Sequence, residues 1–582
     1  MSTVLRGGTL YDGTGAPGRA ADVWLADGVV RGIGPHGMPV PDGTIEVDAR
    51  GCWVTPGFFD GHTHYDAELE AVPSLSESVR HGVTSVIIGS CGLSMACGDP
   101  TALADMFCRV EGIPRADVLP LFERVKDWET PEQYLDHLDG LPLGPNVACL
   151  LGHSTLRAHV MGLGRSLEPI RPEPAELDAM EATLRRALDA GYIGLSINTL
   201  PWDKMDGEAF RSRPTPSTFA SWREYRRLAS VLRERERVLQ ALPNISTKVN
   251  AVLFFTITTG VGRKGLKTLL ISMVDAKADR LAFRAVGAAA NAVNRWLGGN
   301  LRFQSLPNPF DMWVDGMEVP VLEEIAAGTE LLHEQDPEAR RALLRDPAYR
   351  RRFRRQWNNP ILGKAYHRDL YEAVIREAPD PALVGRSFGA IADERGHDAI
   401  DTFLDLQAEH GTAMRWYSVL GNDRPQWLQW IMAHDAVQIG FSDAGAHLRN
   451  FAYYNFPLRM LKRVRDAERS GRPFMTVERA VHRLTAEIAD WLGVEGGTLR
   501  EGARADVVIV DPTGLDDAVE QMQVAPIPGF THLDRLVRRN DAAVRGVWIG
   551  GEHAWAGSEA APALGTRKLG KVLRAGLRTR PG

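Results

Sequence analysis

A short apolar run, Val54-Thr-Pro-Gly-Phe-Phe-Asp-Gly61, ends abruptly at His62 and His64, and no other stretch constrains the fold as much. In a β-strand successive side chains alternate between faces, so residues two apart lie on one face and both imidazoles can point at one ion. Neutral imidazole is a common ligand for zinc and related divalent ions, and a strand leaving a barrel core is a rigid mount for it. Pro56-Gly57 punctuates the chain just ahead of the pair, and Asp60 and Asp66 offer carboxylates to orient the rings from behind. A lone His-X-His arises by chance on exposed loops, so the reading depends on what the rest of the chain supplies.

From about residue 54 to 491, short apolar strand candidates alternate with longer helical patterns, which suggests parallel βα units. The clearest strands are Val83 to Gly89, Asn146 to Leu151, Ile193 to Ile197 and Val437 to Phe441. Each ends where chemistry-bearing residues begin, the logic of a (β/α)₈ barrel with its site at the carboxyl ends of the strands. The first fifty residues read instead as short strands separated by turns such as Asp12-Gly13 and Asp27-Gly28, and Ala505 to Asp511 and Val544 to Ile549 repeat that character. We therefore expect an α/β chain in which both ends (1–55 and 493–560) build one small β-sandwich. Between them stands the barrel (56–492), with an insertion at about 300–400, and a basic C-terminal tail (561–582) follows.

In the insertion, Arg340, Arg341, Arg345, Arg350, Arg351, Arg352, Arg354 and Arg355 follow Phe310-Asp-Met-Trp313. A charge run of this kind reads as a solvated helix face, on a segment that could serve as a lid. The tail carries Arg567, Lys568, Lys571, Arg574, Arg578 and Arg580 with no acid and reads as a mobile tail or a subunit contact. Hydrophobic residues at 44%, charged residues at 24% and a net charge of −6 over 582 residues describe a folded globular chain with no general attraction to nucleic acid or membranes. The start lacks a basic flank followed by an apolar core, and no run is long enough to span a bilayer. These features predict a cytoplasmic protein acting on a small molecule, without nucleic-acid or membrane partners; a homo-oligomer stays open. Five cysteines without paired spacing argue for reduced thiols rather than a disulfide scaffold.

The words PGFFDGHTHYD, HGVTSVIIGSCGLS, LLGHSTLRAHVMG, GYIGLSI, FSDAGAH and LTAEIADWLGVEGGTLREGARADVVIVDP run in order through the chain. In them it resembles the amidohydrolase superfamily, in particular the D-aminoacylase-like branch that hydrolyses N-acyl-D-amino acids. The resemblance implies a divalent metal, zinc first, and the eight-strand count of the barrel. It aligns Cys91 with the branch's metal-ligand cysteine; by itself Cys91 reads as core filler. It also places the catalytic aspartate at Asp443, which follows an apolar strand and is able to touch the metal and take a proton from water. The alternative for Asp443 is a helix N-cap in Ser-Asp-Ala-Gly. His447 either helps there or braces the loop.

Amide hydrolysis of an N-acyl amino acid also needs a hold on the substrate carboxylate, for which a guanidinium is suited. Arg157 and Arg449 are the candidates, with Lys277 a third. His153, beside Arg157 at a strand end, either binds substrate or locks the turn, and Trp202 either lines an acyl pocket or packs. The chain departs from the branch at Leu242 and Met273, which fall where two further ligating histidines are expected. Lys248, Asp275 and Lys277 are the nearby replacements, with a carboxylated Lys248 able to restore an oxygen ligand. One ion per chain is therefore favoured over two. Three readings compete: a metal-dependent hydrolase of the C–N amide bond of an N-acyl amino acid or related small amide; a single-metal hydrolase of a cyclic amide, carbamate or ester; and a non-catalytic barrel. His62, His64, Cys91 and Asp443 together weigh against the third.

Overall fold

The computed structural model describes residues 2–244, 248–360 and 364–576. Five strands open the chain: β1 (Ser2–Leu10), β2 (Arg19–Ala26), β3 (Val29–Gly34), β4 (Ile45–Asp48) and β5 (Trp53–Pro56). β2 and β3 form a hairpin around Asp27 and Gly28, whose φ angles of 53° and 80° are the left-handed pair that a two-residue turn between twisted strands demands.

The next strands build the barrel: β6 (Phe58–Asp60), β7 (Val83–Ile88), β8 (Asn146–Gly152), β9 (Gly194–Asn198), β10 (Val238–Leu242), β11 (Lys267–Ile271) and β12 (Asn300–Ser305). β13 (Phe310–Asp315), β14 (Val374–Glu377) and β15 (Arg415–Gly421) intervene before the eighth barrel strand, β16 (Val437–Ile439). The eight strands are parallel, and neighbours follow chain order from β6 to β12 and then β16. β7, β8 and β9 are buried at every position, as expected for a parallel sheet covered on both faces. The two ends meet: Gly61 N donates to Gly440 O at 3.0 Å, His64 N to Ala444 O at 2.7 Å and Asp443 N to His62 O at 3.2 Å. The fold is a closed TIM-like barrel. Its lower interior is filled by Ile87, Leu150, Ile193, Val238 and Leu269, against which Ile488, Trp491, Leu492 and Leu573 pack.

After the barrel come β17 (Val507–Val510), β18 (Gln523–Pro526), β19 (Asp534–Val537), β20 (Val544–Ile549), β21 (Glu552–Ala556) and β22 (Glu559–Ala560). β5 pairs with β17, which joins both chain ends in one nine-stranded sheet of order β22-β21-β20-β17-β5-β1-β2-β3, with β4 on β1. Its core, with Leu5, Val23, Leu25, Val54, Val507 and Trp548, is separate from that of the barrel.

Two expectations need correction. The stretch from Asn300 is not insertion at its start, because Asn300–Ser305 is barrel strand β12; the inserted part runs on past 400, to Gly421 at the end of β15. It has a core of its own, including Met312, Phe353, Trp357, Phe388, Phe403 and Trp416. Its arginines meet acids across that unit, Arg350 with Asp405 at 2.5 Å, Arg352 with Glu330 at 2.7 Å and Arg354 with Asp401 at 2.5 Å. The described part of the tail packs against the barrel. Val147 N donates to Lys571 O at 3.0 Å, Leu573 N to Val147 O at 2.8 Å and Ala575 N to Gly191 O at 2.9 Å, which laces the chain across the amino end of the barrel. Arg574 pairs with Asp139 at 2.7 Å and Lys571 with Glu495 at 2.6 Å. The aliphatic residues between the bases, Leu569, Val572 and Leu573, are buried, and a reading of charge alone passed over them. Arg578 and Arg580 lie outside the described residues. No helix among the described residues is long and apolar enough to cross a membrane.

A chain ended after Thr566 should therefore lose about 5 kcal/mol or more, at ~1.5–3 kcal/mol for each buried aliphatic side chain. Thermal unfolding followed by circular dichroism checks this; an unchanged Tm sinks it.

Candidate metal centre

The barrel's carboxyl face gathers residues from three strand ends. His62 and His64 follow β6, Cys91 follows β7 and Asp443 follows β16. At the first bend Gly89 has φ 77°, and a Cβ there would stand 2.1 Å from Leu150 O, so only glycine lets β7 turn toward the site. Cys91, Asp443 and His447 themselves hold left-handed φ angles of 52°, 59° and 50°. For non-glycine residues this costs about 1–3 kcal/mol each, and such strain concentrates where a side chain must be aimed.

The donor atoms converge. His62 Nε2 lies 3.2 Å from His64 Nε2 and 3.4 Å from Cys91 Sγ, and all three lie within 4.8 Å of one another. Asp443 Oδ1 is 3.3 Å from His64 Nε2 and 3.6 Å from His62 Nε2. Bonds of ~2.05 Å to nitrogen and ~2.3 Å to sulfur at tetrahedral angles give edges of about 3.3 Å between nitrogens and about 3.6 Å between nitrogen and sulfur. The spacing of the two imidazoles and the thiol fits one divalent ion of zinc's preference, and Asp443 stands against both imidazoles. Each ring is held by its other nitrogen: His62 Nδ1 donates to Gln304 Oε1 at 2.8 Å, and His64 Nδ1 to Glu111 Oε1 at 2.9 Å. Gln304 is fixed in turn by donating to Gly61 O at 2.7 Å. Both Nε2 lone pairs are thereby turned inward.

Burial pushes the Cys91 thiol up to about 11, against the pull of His64, and brings His62 down to about 4. Burial also opposes charge on His64, but Glu111 and Asp443 outweigh it and hold that imidazole well above its ordinary value. Burial would raise Asp443 too; His64, His447 and His62 together hold it below the usual carboxylate range. His447 Nε2 stands 3.8 Å from Asp443 Oδ2, and His447 N donates to Glu111 O at 2.8 Å.

The far wall is apolar: Leu242, Ile271, Leu306, Phe441 and Tyr453 cluster with Cys91. Leu242 faces the site as expected, but Met273 does not. Its Sδ-bearing chain runs to the outside, with Cε within reach of Gly287, and Ile271 holds the inner position on β11. Asp275 is gripped by Arg424 at 2.5 Å and so offers no ligand. Lys248 opens the helix Lys248–Thr258, and its side chain lies outside the described residues.

The other expected residues fall elsewhere. Asp60 and Asp66 do not touch the rings: Asp60 accepts from Ser442 N at 3.2 Å, and Asp66 accepts from Gly89 N at 3.1 Å. His153 and Arg157 are fully buried on Glu224, at 3.0 and 2.5 Å, with the second His153 nitrogen on Ser217 Oγ. Lys277 pairs with Glu372 of the insertion, and Arg449 Nε donates to Asp315 Oδ2 at 2.9 Å. The structure thus brings none of the three expected carboxylate clamps to the site with a free charge. Trp202 lines a cavity beside the site. Gln304, Glu111 and Gln240, which accepts from Cys91 N at 3.1 Å, were not anticipated. Gln240 carried a signal, a lone amide in an otherwise apolar barrel strand; Gln304, in a strand that also holds Asn300, Arg302 and Ser305, and Glu111, at the end of a helix, carried none.

The Amidohydrolase family model matches residues 46–224. An uncharacterized protein of Mycobacterium tuberculosis is 46% identical over 561 residues, 96% of this chain and 92% of that one. A D-aminoacylase of Alcaligenes xylosoxydans xylosoxydans is 36% identical over 194 residues, 33% of this chain and 37% of its own. In fold, the chain is similar to an N-acyl-D-glutamate deacylase from Bordetella bronchiseptica, solved with zinc and a phosphonate inhibitor. The TM-score is 0.62 at 24% identity over 98% of this chain and 99% of that one. The chain belongs to the amidohydrolase family, and its relatives support a hydrolase of amide bonds.

Replacing Gln304 by Leu frees the His62 ring to rotate while leaving the donor set intact. Metal affinity should fall roughly 10–100-fold, read by competition with a chromogenic chelator; unchanged affinity would remove Gln304 from the site's support.

Proposed function

We propose that the chain is a metal-dependent hydrolase that cleaves the C–N amide bond of an N-acyl amino acid, in the manner of the D-amino acid deacylases. The observation that carries this reading is the convergence of His62 Nε2, His64 Nε2 and Cys91 Sγ on one point, with Asp443 Oδ1 against both imidazoles. A divalent ion held there supplies Lewis acidity toward the scissile carbonyl and makes a water more acidic. Asp443, ionised because three imidazoles surround it, accepts the water's proton on one oxygen and returns it to the departing amine. His447 faces its other oxygen and keeps the carboxylate turned to the site. The wall of Leu242, Ile271, Leu306 and Phe441 excludes water from the side opposite the donors.

His62→Ala and His64→Ala should each lower bound metal and turnover together while circular dichroism stays native. Either variant with full metal content and activity contradicts the central assignment. Asp443→Asn keeps volume but removes the base, and kcat should fall roughly 10²–10⁴-fold on an N-acyl-D-amino acid panel. A kcat near that of the parent chain reduces Asp443 to a turn residue.

We also infer one ion per chain. Leu242 and Ile271 present only carbon on the side where a second ion would sit, and carbon cannot offset the dehydration of a divalent cation. Elemental analysis of the purified chain should give about one metal per chain, removable by chelator. Two tightly held ions, unchanged in Lys248→Ala, would overturn this and exclude a carboxylated lysine as the source.

A further inference from the structure

Three of the four residues in the turn Gly89-Ser-Cys-Gly92 stand in the left-handed region, Gly89 at φ 77°, Cys91 at 52° and Gly92 at 79°. Of these only Cys91 carries a side chain, and a chain free to relax would leave that region there. A change of φ at Cys91 swings its Cα–Cβ bond and moves Sγ away from the two imidazoles. The turn therefore has to be held from outside itself.

Two side chains of the barrel wall hold it. Ser196 of β9 and Gln240 of β10 are register partners on neighbouring parallel strands, so they leave the sheet on the same side, and both are buried. Ser196 Oγ accepts from Gly92 N at 2.9 Å and donates to Gly89 O at 2.5 Å, spanning the turn from end to end. Gln240 Oε1 accepts from Cys91 N at 3.1 Å, and Gln240 Nε2 donates to Ser90 Oγ at 3.4 Å. Every residue of the turn is tied to one of the two. Ser154 N adds a bond to Gly92 O at 2.8 Å, beyond the thiol. β10 stands three strands from β7 in the barrel order, so the Gln240 amide meets Cys91 across the interior rather than along the sheet. A leucine at 240 would fill much of the same space but would leave Cys91 N without its acceptor.

We propose that Gln240 and Ser196 are positioning residues that keep Cys91 Sγ in the donor set, and that through it they set the preference of the centre for zinc over manganese. The proposal rests on the reading of His62, His64 and Cys91 as ligands and on nothing about the substrate. Imidazole and carboxylate hold either ion, whereas a thiolate adds far more to zinc than to manganese. A turn released from Gln240 leaves two imidazoles and Asp443, a set that discriminates less.

Cobalt(II) reports the thiolate directly, because a cobalt–sulfur bond adds a charge-transfer absorption in the near ultraviolet that nitrogen and oxygen ligands do not give. The parent chain, stripped by chelator and loaded with cobalt, should show that band, and Cys91→Ala should lack it. Gln240→Leu and Ser196→Ala should each weaken it, and in Gln240→Leu the ratio of zinc to manganese affinity should fall roughly 10–100-fold. Gln240→Glu should restore the band, since a protonated carboxyl accepts from Cys91 N and donates to Ser90 Oγ as the amide does. Gln438→Leu makes the same exchange at a buried amide of β16 that has no hydrogen-bond partner among the described residues, and should leave band and ratio as in the parent. An equal loss in Gln438→Leu makes the effect one of core packing and overturns the proposal. A parent without the band removes Cys91 as a ligand and the proposal with it. A band present in the parent and unchanged in both Gln240→Leu and Ser196→Ala overturns the positioning role while the metal centre stands. If circular dichroism shows Gln240→Leu unfolded, Ser196→Ala decides by itself. No hydrolysis is measured, so failure of the amide reading leaves this test untouched.

Discussion

The seam where β16 meets β6 is the contact on which the site depends. It joins residues nearly four hundred positions apart, and without it His62 and His64 would not face Asp443. Gly61 and Gly440 permit the approach: a Cβ on Gly61 would stand 2.9 Å from Gly440 O. Asp60 then ties the two strands from within, accepting from Ser442 and from His62 N. Burial pushes that carboxyl up to about 7. The position of every donor follows from this closure, because a parallel barrel delivers the ends of all its strands to one face.

Candidate residues that stand where the chain leaves a strand were legible in the sequence. His62, His64, Cys91 and Asp443 each follow an apolar run, and the structure brings the four together. Residues that act through a partner distant in sequence were not. Arg157, Lys277 and Arg449 are unpaired bases in one dimension, yet each meets an acid in three. Gln304 and Glu111 reach the rings from a strand and a helix whose nearness only the closed barrel creates. Met273 shows the same limit from the other side: its place in the chain matched an expected ligand position, but the chain leaves β11 after Ile271 and carries Met273 outward, with Ile271 left inside. The barrel count came from the resemblance to a family, since periodicity could not separate the strands of the insertion from those of the core.

The apolar wall and the polar donors have one electrostatic consequence. In the chain alone, the carboxylates of Glu111 and Asp443 hold a proton on His64 despite its burial, while His62 stays neutral. One proton, at the nitrogen that faces the donor cluster, thus answers two carboxyl groups, of which burial pushes Glu111 up to about 7. With water excluded by Leu242, Ile271 and Phe441, two buried carboxylates cannot stand uncompensated. A divalent ion relieves the same imbalance more completely than the proton does, and it also brings the Cys91 thiol within reach of ionisation. Metal and proton therefore compete for one buried field, so binding must release protons and weaken as pH falls. On the proposed reading, the apolar residues that would deny a second ion its ligands are the same ones that would keep this field strong enough to hold the first.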